Sequence, residues 1–404
     1  MTATLVADAT ALTDRIVGLR RAIHAEPEIG LHTPRTRDKI REALAHLPLE
    51  WRDGPSTTGL VATLKGGAGP GRSVLLRGDM DALPMPEETG LDFASRVPGV
   101  MHACGHDAHV AMLAGAAELL CARAASLAGE VRFMFQPGEE GYHGARYMLD
   151  DGLLGGEGTG TPLPDAAFAL HVMPNAPHGV FGGRAGPLLA SADQLGIVVT
   201  GRGGHASMPH GTLDPVPVAC EIVMALQAMV TRKFSVFDPV VVTIAKIEAG
   251  TAHNVIADSA RLTGTMRSLS AESRARLREE VQLLAAGIAG AHGLTADVTI
   301  HEGFPVTVCD GRAVDLGESV ATELLGSAGF LRLGEPIMGA EDFAYVLEKV
   351  PGAMFFLGVS HEGEDWRQCC GIHSTRMMVD ESAMPRGSAF LAALAERFLA
   401  NGFA

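Results

Sequence analysis

The chain has 404 residues, 47% hydrophobic and 20% charged, which reads as a soluble globular protein with two domains rather than one compact core. Its formal net charge is −15, from 47 acidic against 32 basic residues. That balance disfavours nucleic acids and anionic membranes as partners, because both select basic surfaces. No apolar run reaches the length needed to span a bilayer, and only 5% of residues are aromatic, too few for a stacking platform. The six cysteines, at 104, 121, 220, 309, 369 and 370, follow no regular spacing. Free thiols in a cytoplasmic protein are therefore expected rather than a disulfide framework. The first residues lack a basic stretch followed by an apolar core, so no secretory leader is expected.

From the N-terminus, roughly 10–46 reads as helix: Leu12, Ile16, Leu19 and Ile23 recur at helical spacing, with Pro27 and Gly30 as punctuation. Short strand-like runs follow: GLVATL (59–64), SVLLR (73–77), VRFMF (131–135) and AAFAL (166–170). The glycine-rich KGGAGPG (65–71) matches no nucleotide-binding pattern and reads as a hairpin turn. Between the strands lies the helical AHVAMLAGAAELLCARAA (108–125). This alternation predicts an α/β layer on a mostly parallel sheet. The middle of the chain changes character. Strands at 194–201, 240–250, 259–269 and 295–303 are interleaved with helices at 214–232 and 270–293, a self-contained β-α-β-β-α-β pattern of the ferredoxin-like kind. The alternating pattern then resumes with AMFFLGV (353–359) and a C-terminal helix. The expected organisation is one catalytic domain over 1–187 and 304–404, with an α+β domain, 188–303, inserted into it.

Chemistry collects after the strands of the larger domain. SVLLR is followed by Asp79 and Asp81, VRFMF by Glu139 and Glu140, and AAFAL by His171, while MHACGHDAH (101–109) precedes a helix. Ligands bind beyond the carboxyl ends of strands in open α/β sheets. Any one of these residues alone reads as a turn, a solvated surface or a core histidine. Their convergence at several strand ends is what points to a site. Thiolate, imidazole and carboxylate together suit Zn, Mn, Co, Ni or Fe(II). Five such donors suffice for two ions, and one glutamate then remains as general base. No nucleophile elbow, P-loop, G-x-G-x-x-G or H-E-x-x-H motif occurs.

The stretches HAEPEIG, RGDMDALPMPEETG, MHACGHDAHVAML, FQPGEEG, ALHVMP, GRGGHASMPH, GTAHNVIAD, GTMRSL and GAEDFAY resemble, in order and over nearly the whole chain, the hippurate hydrolase, indole-acetyl-amino-acid hydrolase and aminoacylase group of dinuclear amidohydrolases. That group lies within the larger carboxypeptidase/aminoacylase metallopeptidase family. The resemblance implies a metallopeptidase-like catalytic domain and an inserted lid or dimerisation domain. It implies two divalent ions held by Cys104 as a bridging ligand with His106, Glu140, His171 and His373. Glu139 matches the general acid/base, and Asp81 matches an aspartate that orients His106. His205 matches a histidine brought across a dimer interface to the scissile carbonyl. Asn254 and Arg267 match residues that grip the substrate's carboxylate. Asp79 stands where other branches carry a metal-binding histidine and is expected to be structural here.

Some positions depart from the group's pattern. GIHSTRMM (371–378) lacks the usual His-Ser-Pro-aromatic form at the C-terminal ligand. His143 and His253 stand where less polar or variable residues are expected and read as either pocket-lining or solvated loop histidines. Cys369 and Cys370, close to His373, read as structural thiols, with a third soft ligand as the alternative. Asp107 and His109 are expected to support the helix start or the ligands rather than to bind metal.

The function expected is hydrolysis of N-acyl or N-aroyl amino acids by a cytoplasmic homodimer or higher homo-oligomer acting on small molecules. The alternatives are a dipeptidase, carboxypeptidase or biosynthetic deacylase on the same site, Cys104 as a covalent nucleophile paired with His106, and a metal-binding protein without turnover. The second alternative is weakened because positions two apart pair awkwardly and neighbouring acids oppose a thiolate.

Overall fold

The computed structural model describes residues 2–404. The chain divides into two compact units: Met1–Leu188 with Val308–Glu335 and Asp342–Ala404, and Leu189–Thr307 with Pro336–Glu341. The first unit begins α1 (Thr2–Ala11), α2 (Thr13–His24), α3 (Pro34–Leu44), β1 (Glu50–Asp53), β2 (Leu60–Lys65), β3 (Ser73–Asp79), α4 (His106–Cys121), β4 (Glu130–Gln136), α5 (Gly144–Asp150), β5 (Ala166–Met173), β6 (Phe181–Gly183) and β7 (Gly186–Leu189). The second unit supplies β8 (Asp193–Thr200), β9 (Gly204–His205), α6 (Pro215–Lys233), β10 (Val240–Ala249), β11 (Val255–Ile256), β12 (Ser259–Ser268), α7 (Ala271–Ala291) and β13 (Thr295–Glu302). The chain then continues through β14 (Thr307–Cys309), α8 (Gly311–Leu325), β15 (Phe330–Arg332), α9 (Ala344–Leu347), β16 (Gly352–Gly358) and α10 (Met384–Asn401). No helix among the described residues is long and apolar enough to cross a membrane.

The first unit is built on an eight-stranded sheet in the order β1-β2-β4-β3-β5-β16-β6-β15. Its centre, β4-β3-β5-β16, is parallel, and antiparallel pairs occur at β1-β2, β2-β4 and β16-β6. Strands β3 and β16 are buried at every position, as expected where helices cover both faces of a parallel sheet. Helix α4 is buried along nearly its whole length and packs on β3, α2 and α10. That burial explains why its sequence is apolar all round rather than striped.

Two expectations are corrected here. The N-terminal segment is three helices, because Leu12 and the Pro27–Thr33 stretch interrupt the chain. Residues 66–72 are not a hairpin turn: β2 and β3 are separated by β4, and the loop crosses its start, with Gly66 donating to the Gly129 carbonyl (2.8 Å) and Gly129 to the Gly69 carbonyl (2.9 Å).

In the second unit, β10-β12-β8-β13 form an antiparallel sheet. The first strand lies between the third and the fourth, which is the ferredoxin-like order. Strand β8 alternates buried and more exposed residues. Its inward Leu195, Ile197 and Val199 share a core with Ile222 and Leu226 of α6 and Leu277 and Val281 of α7. Asp214 and Ser270 cap these helices, accepting from the Val216 and Ser273 amides at 3.0 Å each.

Candidate metal centre

The parallel strands bring their carboxyl ends to one edge of the sheet. In register, Asp79 of β3 lies opposite Gln136, the last residue of β4. The loop after Gln136 carries Glu139 and Glu140, and β5, on the other side of β3, carries His171 near its end. Strand β2 runs antiparallel to β4, so its carboxyl end lies at the opposite edge. That is why the run GLVATL is followed by no ligand.

Cys104 and His106 approach this edge through Gly105, which sits at φ +80° before α4. A side chain at 105 would place Cβ 2.3 Å from a Val172 methyl, so only glycine makes this turn against β5. His106 is buried, and its Nδ1 lies 2.8 Å from the Asp81 main-chain carbonyl. The carbonyl can only accept, so Nδ1 carries the proton and Nε2 presents a lone pair. That Nε2 is buried and makes no hydrogen bond. His171 repeats the arrangement: its Nδ1 lies 2.7 Å from the Val172 carbonyl and its Nε2 faces the Cys104 sulfur at 3.3 Å. Outward Nδ1 anchoring of this kind is how metal-binding imidazoles are oriented.

Asp81 does more than face His106. Its carboxylate lies 3.6 Å from the His106 Nδ1, but its oxygens accept the main-chain N–H groups of Glu139 (2.9 Å) and Glu140 (3.0 Å). The carboxylate thus holds the glutamate turn, and the Asp81 carbonyl holds the histidine. His373, at φ +62°, places its Nε2 3.2 Å from Glu140 and donates its main-chain N–H to the Ala103 carbonyl (2.7 Å).

The resulting groups of donor atoms, each mutually within 4.8 Å, include Cys104–His106–His171, Cys104–Glu140–His373 and His106–Glu139–Glu140. Two of them share Cys104. The donors therefore suit divalent ions, which Cys104 and the imidazoles and carboxylates around it could hold. The electrostatics agree. Burial pushes the Cys104 thiol up, which makes it a poor free nucleophile and leaves a bound cation as the means of ionising it. Hydrogen bonds to Cys104 and Glu140 draw the His373 imidazole up to about 10, so the site favours a positive charge there, which a metal ion can supply instead.

Asp79 and His109 are engaged otherwise. The His109 Nδ1 lies 2.6 Å from Asp79, and its Nε2 accepts the Val172 N–H at 2.9 Å. Both nitrogens are occupied, although the ring lies within reach of Asp79 and His106. Asp79 also accepts from Arg77 (2.6 Å) and stands 3.4 Å from the His106 Nε2. Asp107 is taken by Arg20 (2.9 Å) and His24 (2.8 Å). Burial alone would raise its carboxyl, but the Arg20 and His24 charges outweigh burial and hold it well below the usual carboxylate range. His102 is fully buried, and burial pushes it down to about 3, a neutral ring.

The remaining residues singled out in the sequence lie elsewhere. His205 is on β9, exposed and paired with Val255 of β11, and its Nδ1 lies 2.7 Å from the Ser207 hydroxyl. Asn254 precedes β11, and its carbonyl accepts the Ala206 N–H (3.1 Å). Arg267 lies on β12 opposite Val241, half-buried. His143, at φ +59°, lies 2.9 Å from the Tyr345 hydroxyl through its Nδ1, His253 is exposed, and Cys369 and Cys370 are half-buried free thiols.

Sequence reasoning missed a buried network behind the site, made by Arg77, Gln136 and Asp342. A signal was present. An arginine that closes the run SVLLR, just before Gly78 and Asp79, requires an internal counter-charge if its strand is buried.

Residues 75–397 match the profile of Peptidase family M20/M25/M40. The chain is 37% identical over 396 residues to Thermostable carboxypeptidase 1 of Saccharolobus solfataricus, covering 97% of each chain. It is 38% identical over 383 residues to N-acetylcysteine deacetylase of Bacillus subtilis, covering 94% of this chain and 96% of the relative. Among solved structures, a Bacillus subtilis protein described as a dinuclear metal binding peptidase of the M20 family superposes with a TM-score of 0.82 at 35% identity, covering 97% and 99% of the two chains. The chain belongs to Peptidase family M20/M25/M40 and is a hydrolase of amide bonds.

Proposed function

We propose that the protein is a metal-dependent amidohydrolase that cleaves N-acyl or N-aroyl amino acids to a carboxylic acid and a free amino acid. The observation that carries this reading is the pair of donor groups meeting at Cys104, beside a glutamate, Glu139, that neither group uses. In this reading Cys104, His106, Glu140, His171 and His373 hold two divalent ions of the Zn, Mn, Co or Ni kind. Bound there, such ions supply Lewis acidity that lowers the pKa of water and polarises an amide carbonyl. Glu139 takes the proton of the attacking water and returns it to the leaving amine nitrogen. The amide of Glu139 is fixed by Asp81, so the base is held in place before substrate arrives.

The roles of His205, Asn254 and Arg267 rest on the family resemblance. His205, supplied by the second copy of a homodimer, donates to the scissile carbonyl as charge builds on its oxygen. Asn254 and Arg267 bind the substrate's α-carboxylate, for which a guanidinium offers paired donors. Cytoplasmic residence is supported by the six free thiols.

Glu139→Gln should keep its metal content and lose turnover by about 10²–10⁴-fold, the range for a general base. Wild-type turnover would remove Glu139 from that role. Mixing the Glu139→Gln and His205→Ala proteins should restore part of the activity if the histidine acts across a dimer, and restore none if it acts within its own chain. The carboxypeptidase name of one relative favours a second reading, in which peptides are the substrates. A panel of N-acyl amino acids beside unblocked peptides, on metal-reconstituted protein, separates the two. N-acyl amino acids should give the higher kcat/KM, and a preference for free-amine peptides would select the second reading.

A further inference from the structure

The candidate ligands are backed by a buried charge network that no proposed catalytic step uses. Asp342 is fully buried. Its Oδ1 accepts from the Gln136 side chain (2.6 Å) and from Arg77 (3.3 Å), and its Oδ2 accepts the main-chain N–H of Ala145 (2.9 Å). These partners lie 206, 265 and 197 residues away in sequence. They belong to three different segments: the end of β4, the middle of β3 and the start of α5.

Each partner leads directly to the metal centre. Arg77 donates through Nη1 to Asp79 and through Nε to the Gln136 side-chain oxygen (2.9 Å). Asp79 in turn contacts the His109 Nδ1 and stands beside the His106 Nε2. The Gln136 carbonyl accepts the Met80 N–H (2.7 Å), just before Asp81. Ala145 follows Gly144, whose N–H donates to the Gly138 carbonyl (3.0 Å) and so closes the loop that carries Glu139 and Glu140. One carboxylate is therefore bonded to both arms of the site: the Asp79–histidine arm and the glutamate loop.

We propose that Asp342 is a positioning residue for this metal centre, acting through Arg77 on Asp79 and His106 and through Ala145 on the loop of Glu139 and Glu140. The inference rests on the metal-dependent reading above. Chemistry makes the requirement strict. Both Asp342 oxygens face donors, so an asparagine must turn an N–H₂ toward either the Arg77–Gln136 pair or the Ala145 amide, and one contact becomes a clash of donors whichever way it points. It also removes a negative charge from the buried Arg77 guanidinium, which then draws more strongly on Asp79.

The test compares wild type, Asp342→Asn and Arg77→Lys. A lysine keeps the charge but cannot bridge Asp79, Gln136 and Asp342 at once. Three quantities are read: Co²⁺ affinity by competition with a chelator, the Co²⁺ absorption spectrum, and kcat and KM on an N-acyl amino acid, with thermal midpoint and circular dichroism as fold controls. The expected result is a folded Asp342→Asn protein with Co²⁺ bound about 10–100-fold more weakly, the range for outer partners of metal ligands, an altered Co²⁺ spectrum, and kcat lowered while KM stays within about twofold. Arg77→Lys should change the same quantities in the same direction, and it decides the question if Asp342→Asn does not fold. Wild-type Co²⁺ affinity, spectrum and kcat in the variants would overturn the proposal. So would losses that track only the thermal midpoint and vanish at a temperature where the variant is fully folded. If the wild type itself neither binds Co²⁺ nor hydrolyses any substrate, the metal-dependent reading fails, and that outcome is distinct from a failure of Asp342.

Discussion

Asp193 in the second unit and Asp79 and Glu139 at the strand ends of the first unit are all buried acids, but their surroundings differ. Both Asp193 oxygens are met by Arg274 and Arg278, at 2.7–3.1 Å, and Oδ1 also accepts the Gly303 N–H. Its charge is matched where it sits. At the strand ends Asp79, Glu139, Glu140 and Cys104 crowd around His106, His171 and His373, with Arg77 bonded to Asp79, and the buried His106 Nε2 makes no hydrogen bond. A buried cluster that satisfies itself holds a fold together. One that leaves lone pairs converging on a point is arranged for something added later, and with these donors that is a cation.

Substitutions that break each cluster should therefore have different consequences. The largest effect is expected at Cys104, which belongs to two of the donor groups. Cys104→Ala should lose bound metal and leave less than about a thousandth of the activity, while circular dichroism stays as in the wild type. Metal content equal to wild type would show that the cluster does not centre on the thiol. Asp193→Ala should do the reverse. It should keep metal content and cost about 2–3 kcal/mol in urea unfolding, toward the low end for removing one partner of a buried pair, because the arginines left behind are partly exposed. Loss of metal with unchanged stability would erase the contrast.

A smaller effect is expected from pH. Burial tends to raise the Asp193 carboxyl, but the hydrogen bonds from Arg274 and Arg278 outweigh it and hold it down at about 2. A carboxyl depressed on folding stabilises the native state above its unfolded value, near 4, and that contribution is lost as pH falls through its folded value. The part of the gap between wild type and Asp193→Asn that comes from the charge, about 1–2 kcal/mol at pH 6, should shrink as pH approaches 2. A gap that widened in acid would contradict the assignment.

Much of the candidate site was legible because the sheet converts sequence position into spatial position. Asp79, Asp81, Glu139, Glu140 and His171 each follow or end a strand that the apolar runs mark clearly, and parallel register brings those ends to one edge. The four-stranded sheet of the second unit was legible from its own strand-like runs and the two helices between them. What escaped was short or distant. Strands β1, β6 and β15 have three or four residues, too few for a period to show. The 65–71 stretch looked like a hairpin because nothing local reveals that β4 is inserted between its flanking strands. Asp342 was visible only as part of a matching motif, since its partners are set by tertiary contacts about 200 or more residues away. Asp81 showed a different limit: the family resemblance pointed to it as a partner for His106, but not that its carbonyl would accept from the imidazole while the carboxylate holds the glutamate turn.

The central claim is that the strand-end cluster is a metal centre that hydrolyses amides. The most direct test is to dialyse the protein against a chelator, count the metal that remains, and follow hydrolysis of an N-acyl amino acid before and after adding Mn²⁺, Co²⁺, Zn²⁺ or Ni²⁺. Activity should fall to background as the metal is removed and return as about two equivalents per chain are restored. Full activity in metal-free protein would contradict the account.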